Sequence, residues 1–140
     1  VDFAETFLEM AGAAVPNDMQ GRSLVPILKG KTPEDWRTSH YYHYYEAGGH
    51  GVPIHYGVTT KSHKLIRYPA PIDEWELYDL KKDPREMNSV FGRPGYARAT
   101  KRLEKELGRL RKELEVDEEK RPAPPYLRLP RSKQSETLTT

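Results

Sequence analysis

Hydrophobic residues recur along this chain at two periods, and the change between them divides it. From Asp2 to Ala11, residues Phe3, Ala4, Phe7, Leu8 and Ala11 fall on one face of a 3.6-residue repeat, which predicts a helix. Asp2 and Glu5 have the spacing of a capping box, and Gly12 suits the stop. An apolar helix face in this position needs a surface to lie against, and that surface is expected to be missing from these residues. Val15-Pro16 opens a loop. Ser23 to Lys29 predicts one or two helical turns, with Ser23 as cap, Pro26 in the first turn and Gly30 as stop. Thr32 to Asp35 reads as a polar turn.

From Ser39 the pattern changes to that of strands. Ser39 to Tyr45 is rich in aromatic residues, which favour a pleated surface. Glu46 to Pro53 holds Gly48, Gly49 and Gly51 and predicts a loop. His55 to Thr60 and His63 to Tyr68 predict two strands joined at Lys61-Ser62, a pair without the Gly or Asn that a tight hairpin prefers. Trp75 to Leu80 predicts a fourth strand, and Lys81 to Pro84 a turn. Leu77 and Leu80 cannot share a strand face at period 2, so one of them turns at the strand end. Asp79 and Asp83 suit a turn in which carboxylates accept backbone N–H groups. The helical period returns from Pro94 to Val116, where Leu103, Leu107, Leu110 and Leu114 form a stripe that Tyr96 and Ala99 extend. Gly108 lies inside it at a cost of about 1 kcal/mol relative to Ala. The sum is an α+β fold: a four-stranded antiparallel sheet packed against a long C-terminal amphipathic helix, preceded by an N-terminal helical segment. Residues 118–140 turn charged, then proline-rich, then Ser/Thr-rich, and are expected to be disordered.

Composition narrows the chemistry. The 140 residues are 36% hydrophobic and 31% charged, which bounds the chain to one domain or less with a modest core. A net charge of +2 does not imply a nucleic-acid partner, and the basic residues of the last helix are interleaved with glutamates as on a solvated face. No run of about 18 apolar residues exists, so no membrane span is expected. The absence of cysteine excludes disulfides, thiolate metal sites and cysteine nucleophiles within these residues. The glycine loop lacks the Gly-Lys-Ser/Thr ending that cradles phosphate. His40 and His43 are three apart, on opposite faces of a strand, so they do not suit one metal, and His63 reads as structural.

Five segments carry a resemblance. Glu76-Leu77-Tyr78-Asp79-Leu80, Asp83-Pro84 and Glu86-Met87-Asn88 resemble the C-terminal signature of bacterial type I, formylglycine-dependent sulfatases. Asp2 to Gly12 followed by Pro16, then Gln20-Gly21-Arg22-Ser23-Leu24, then the pair Tyr56-Gly57-Val58 and Lys64-Leu65-Ile66, resemble that family's segments in the same order. The likeness spans residues 1–116. It implies that 1–38 is the end of a catalytic domain and 39–117 the C-terminal subdomain of a sulfuric ester hydrolase, with a periplasmic or secreted location. The family's nucleophile is a Cys or Ser in a C-x-P-S-R type motif, converted to formylglycine, and its calcium is held by Asp and Asn of the N-terminal catalytic domain. No such motif is present here, Thr59 stands where Arg is common and His63 where Tyr is common.

The resemblance therefore implies a fragment, inactive alone, that completes the cleft for a sulfated carbohydrate beside its N-terminal domain. It implies no catalytic and no metal-binding residue in this chain. His55 and His50, flanking the glycine loop, are the expected substrate-binding residues, with Tyr45 and Glu46 as further lining. The alternative is a stand-alone protein- or glycan-binding module without catalysis.

Overall fold

The computed structural model describes residues 1–46 and 51–116. His50 and the 118–140 segment lie outside the described residues. Two short helices come first, α1 (Phe3–Met10) and α2 (Val25–Leu28). The strands follow as β1 (Ser39–Tyr44), β2 (His55–Thr60), β3 (His63–Tyr68) and β4 (Glu74–Asp79). A 3₁₀ turn at Pro94–Tyr96 then leads into α3 (Ala97–Glu113). The sheet is an antiparallel meander in the order β1-β2-β3-β4.

Alternation along the strands builds two unlike faces. Tyr56, Val58, Leu65 and Leu77 face α3 and meet Leu103, Leu107 and Leu110 in one buried cluster. Leu114, the last residue of the predicted stripe, is half-buried. The cluster also takes in Val90. The segment after β4 folds back along the sheet edge, where Val90 N–H donates to the Leu77 carbonyl at 2.8 Å and Leu77 N–H to Ser89 Oγ at 3.2 Å. The edge is thereby partly closed, as edge strands require.

The β2–β3 turn manages without Gly or Asn because Thr60 supplies the missing bonds. Its Oγ1 accepts from the N–H of His63 at 3.1 Å and of Ser62 at 3.4 Å, and donates to the His63 carbonyl at 3.0 Å. In the turn after β4, Asp79 Oδ1 accepts from Lys81 and Lys82 N–H, and Asp83 Oδ2 from Asn88 N–H at 2.8 Å. Both carboxylates thus play the part expected of them. Leu77 lies in the core, and Leu80 stands past the strand end.

The N-terminal segment corrects one expectation. Asp2 and Glu5 form no capping box: Asp2 makes no side-chain cap bond. Its carboxylate instead accepts from Arg22 N–H at 3.0 Å and pairs with Arg37. Thr6 Oγ1 donates to the Asp2 carbonyl at 2.6 Å and accepts from Leu24 N–H at 2.9 Å. Glu5 is buried against Gly21, where no Cβ could fit. These bonds tie α1 to the 20–24 segment, 20 positions away from Asp2 in the Arg22 case. The same bonds decide which side of α1 is inward. The helix buries Glu5 and Thr6, whereas Phe3, Phe7 and Met10 are 68%, 64% and 68% exposed. Its apolar face looks outward.

Gly57 is the glycine the sheet needs. A Cβ there would strike the Leu65 carbonyl oxygen and lie 2.6 Å from the Tyr42 hydroxyl. The carbonyl belongs to β3, so it cannot move without disturbing the ladder. Gly57→Ala is expected to cost about 1–3 kcal/mol by overpacking. Urea unfolding checks this, and a midpoint unchanged from wild type would refute the clash.

Candidate functional site

The face of the sheet turned away from α3 carries the candidate site. On β1 it presents Tyr42 and Tyr44, whose cross-strand partners on β2 are Gly57 and His55. Because Gly57 has no side chain, the Tyr42 ring can lie down over it. His55 is then surrounded by aromatic rings. Its centroid lies 5.9 Å from Tyr42, 5.5 Å from Tyr44 in a stacked arrangement, and 5.5 Å from Tyr68 on β3.

The imidazole is also fixed by a hydrogen bond. Nδ1 lies 2.9 Å from the Pro53 carbonyl oxygen, two residues upstream. A carbonyl only accepts, so Nδ1 carries the proton, and in the neutral ring Nε2 is left as an acceptor. Nε2 makes no hydrogen bond among the described residues. Gly51, with φ of +70°, provides the left-handed turn that precedes this stretch.

Hydroxyls and carboxylates continue the face. Tyr68 donates to Glu76 Oε2 at 3.1 Å, and Lys64 pairs with Glu86 at 2.6 Å. Burial and then the Glu76 carboxylate push the Tyr68 and Tyr78 hydroxyls up to about 12. Burial raises Tyr42 further. All three therefore stay protonated at ordinary pH; Tyr68 donates to Glu76, whereas the buried Tyr42 hydroxyl has no hydrogen-bond partner among the described residues.

The other residues named from sequence sit elsewhere. His43 is on the α3 side of β1, where Tyr41 Oη lies 3.1 Å from its Nδ1 and the Tyr45 ring stacks on it at 3.7 Å. His40 is exposed on the opposite face. Partial burial and then Arg37 lower its pKa. His63 contacts Ser62 at 2.9 Å in the β2–β3 turn and faces the Tyr96 ring. Tyr45 packs on His43, away from His55, and Glu46 accepts from Tyr44 Oη at 3.5 Å. The structure thus keeps His55 at the centre of a built environment and leaves Tyr45 outside it. Among the described residues, no group of three or more His, Cys, Asp or Glu side chains is placed to hold a metal ion.

Tyr42, Tyr44 and Tyr68 were not expected at a site, and Gly57 entered only within the Tyr56-Gly57-Val58 resemblance. Their signal was nevertheless present. Tyr42 and Tyr44 share a strand parity, and the β2–β3 hairpin places Tyr68 across from β2.

Residues 1–113 match the family described as N-sulphoglucosamine sulphohydrolase, C-terminal. The chain is similar to an N-acetylglucosamine-6-O-sulfatase of Bacteroides thetaiotaomicron, 57% identical over 106 residues that cover 74% of this chain and 19% of that protein. It is also similar to a Delta 4,5-hexuronate-2-O-sulfatase of the same organism, 31% identical over 106 residues covering 70% of this chain and 20% of the other. A solved structure of a protein in complex with its substrate D-glucosamine-2-N,6-O-disulfate superposes with a TM-score of 0.80 and 50% identity, covering 86% of this chain and 25% of that one. The chain thus spans about a fifth of the length of these two curated relatives. With the family match running through nearly every described element, the chain belongs to the N-sulphoglucosamine sulphohydrolase C-terminal family, the C-terminal domain of sulfatases.

Proposed function

We propose that this chain is the substrate-side portion of a sulfuric ester hydrolase acting on sulfated carbohydrate, and that His55 contacts the sugar. The observation that carries the reading is the setting of His55. Three tyrosine rings and the Pro53 carbonyl hold the imidazole, and its Nε2 has no partner among the described residues. Such an acceptor suits a sugar hydroxyl. A ring already immobilised loses little entropy on binding. The sulfated glucosamine bound in the similar structure supports this substrate class. His50, on the same loop, is proposed as the second contact.

Residues 1–38 belong in this reading with the end of the larger catalytic domain, and 39–117 form the C-terminal subdomain. The outward apolar face of α1 supports a partner of that kind. Phe3, Phe7 and Met10 form a stripe that a stand-alone binding module would leave in water. Calcium and formylglycine do not fit the residues of this chain, which has no C-x-P-S-R type motif with Cys or Ser and, among the described residues, no converging ligand set. In this reading both belong to the larger domain, and no step passes through them here.

The test is hydrolysis. The 140-residue chain, supplied with calcium and an aryl sulfate, is expected to show no turnover, whereas the protein carrying it as a C-terminal portion should release sulfate from N,6-O-disulfated glucosamine. Turnover by the chain alone, or none by the longer protein on any sulfated sugar, would sink the proposal.

A further inference from the structure

A second feature lies at the other end of β2, on the α3 side of the sheet. A groove of about 710 Å³ runs between α3 and the turn joining β2 to β3. Lys61, Arg102, Lys105, Arg109 and Lys112 line it, and Glu106 is the one carboxylate among its lining residues. That carboxylate is already engaged. Arg109 donates to it at 2.9 and 2.8 Å, and Ser39 Oγ donates to it as well. The bonds from Arg109, and then from Ser39, hold Glu106 down at about 2. Lys61, Arg102, Lys105 and Lys112 make no ion pair among the described residues. Four cations without an ion pair among the described residues therefore rim a groove whose accessible wall is mostly apolar, although the whole chain carries only +2.

The interleaving of basic and acidic residues along α3 in sequence does not persist in space. At helical spacing, Arg102, Lys105, Arg109 and Lys112 gather on one flank, whereas Glu104 and Glu115 are not among the groove's lining residues. Thr38, Thr60 and Ser62 border the same space; the Thr60 hydroxyl already donates to the His63 carbonyl and Ser62 Oγ contacts His63 Nδ1. Gly108 borders it too, and a Cβ there would meet nothing within 4 Å. Packing therefore does not demand the helix-weakening glycine. Its effect is to expose helix backbone in the groove.

We infer that this groove binds a sulfated glycan chain through its sulfate groups. This rests on the carbohydrate reading above, and it assigns a longer substrate than one sugar. From His55 to Thr60, β2 rises about 17 Å at strand spacing, and the groove is on the opposite face of the sheet from His55. A single sugar in contact with His55 cannot reach the groove, so an occupant that touches both is a polymer. Lysine and arginine heads recognise clustered anionic groups without reading a base or a peptide side chain.

The experiment is calorimetric titration of the 140-residue chain with an N,6-O-sulfated glucosamine–uronate octasaccharide, its desulfated counterpart and a DNA duplex. Arg102→Gln, Lys105→Gln and Lys112→Gln are made together; all three side chains are exposed and Gln keeps helix propensity. The triple variant is expected to bind the sulfated octasaccharide about tenfold more weakly, the loss for three exposed charge contacts. Lys61→Gln, on the turn and not the helix, should weaken it in the same direction. Lys29→Gln with Lys31→Gln, at residues that do not line the groove, should leave it unchanged. Four results overturn the inference: no binding by wild type, wild-type affinity in the triple variant, equal binding of the desulfated sugar, or tighter binding of DNA with the same loss on mutation. The outcome is separable from the hydrolase reading. Groove-dependent binding by a protein that hydrolyses no sulfate ester would remove only that reading, and hydrolysis with unaltered glycan binding by the triple variant would remove only the groove.

Glu106 also gives a pH prediction. Its folded pKa, at about 2, lies below its ordinary carboxylate value, so the Glu106–Arg109–Ser39 contacts stabilise the fold above that ordinary value. Stability should fall as pH drops from about 4.5 toward about 2. Glu106→Gln should flatten this part of the acid-unfolding curve, and an unchanged curve would contradict the assignment.

Discussion

Leu107→Ala should cost about 2–5 kcal/mol of folding stability, the range for deleting a buried leucine side chain. Leu107 is 4% exposed and lies in the cluster that joins α3 to Val58, Leu65 and Leu77. The helix has little else to hold it. It has no side-chain cap at its start, and Gly108 weakens its middle. Packing of the leucine stripe therefore supplies most of its reason to be helical here. A small domain has roughly 5–15 kcal/mol in total, so the loss takes a large share. The measurement is the urea midpoint at unchanged slope, with Lys105→Ala on the exposed side as the control. A loss below about 0.5 kcal/mol, the scale of a surface change, would mean that the stripe is not the core.

The sheet and α3 were legible because each obeys one period over its whole length. The bounds of β2 and β3 read from sequence coincide with those observed, His55–Thr60 and His63–Tyr68, and β4 is displaced by one residue. The first helix was legible as a helix, and so was the apolar face that the structure leaves outward. Periodicity finds which residues share a face, but it cannot say which face is inward. In α1 the inward side was decided by Thr6 and Asp2, which bond to backbone 18 and 20 positions away. Local spacing contains nothing about such bonds. Val90 was missed for the same kind of reason: it stands alone in a turn-rich segment and reaches the core only because that segment pairs with Leu77.

The site was half legible. His55 stood out by chemistry and by its place at a strand start, but what fixes it comes from three strands. The Tyr44–His55 and Tyr42–Gly57 pairs depend on the register across a loop that sequence does not set. The groove beside α3 was hidden by the opposite effect. Counted along the chain, its lysines and arginines alternate with glutamates and look neutralised; the helix sorts them onto different flanks, and Arg109 silences the one acid that remains.

In the protein that carries this chain as its C-terminal portion, His55→Ala should lower kcat/KM for N,6-O-disulfated glucosamine and leave a small aryl sulfate nearly unaffected. The argument runs through Nε2. Pro53 holds the Nδ1 proton, so the free nitrogen accepts, and a sugar hydroxyl is the donor it fits. An aryl sulfate brings the sulfate but no such hydroxyl. Losing one hydrogen bond of about 1–3 kcal/mol corresponds to roughly a 5- to 150-fold drop on the sugar. The change should not unfold the sheet, since His55 is half-exposed and outside the core cluster. Equal losses on both substrates would place His55 at the sulfate itself or reveal damage to the fold, which the thermal midpoint separates. No loss on either would remove His55 from the site. Pro53→Ala keeps the carbonyl that holds Nδ1 and should retain most of the activity on the sugar, whereas Tyr44→Ala removes the ring stacked on the imidazole at 5.5 Å and should move the sugar reaction in the direction of His55→Ala, by less.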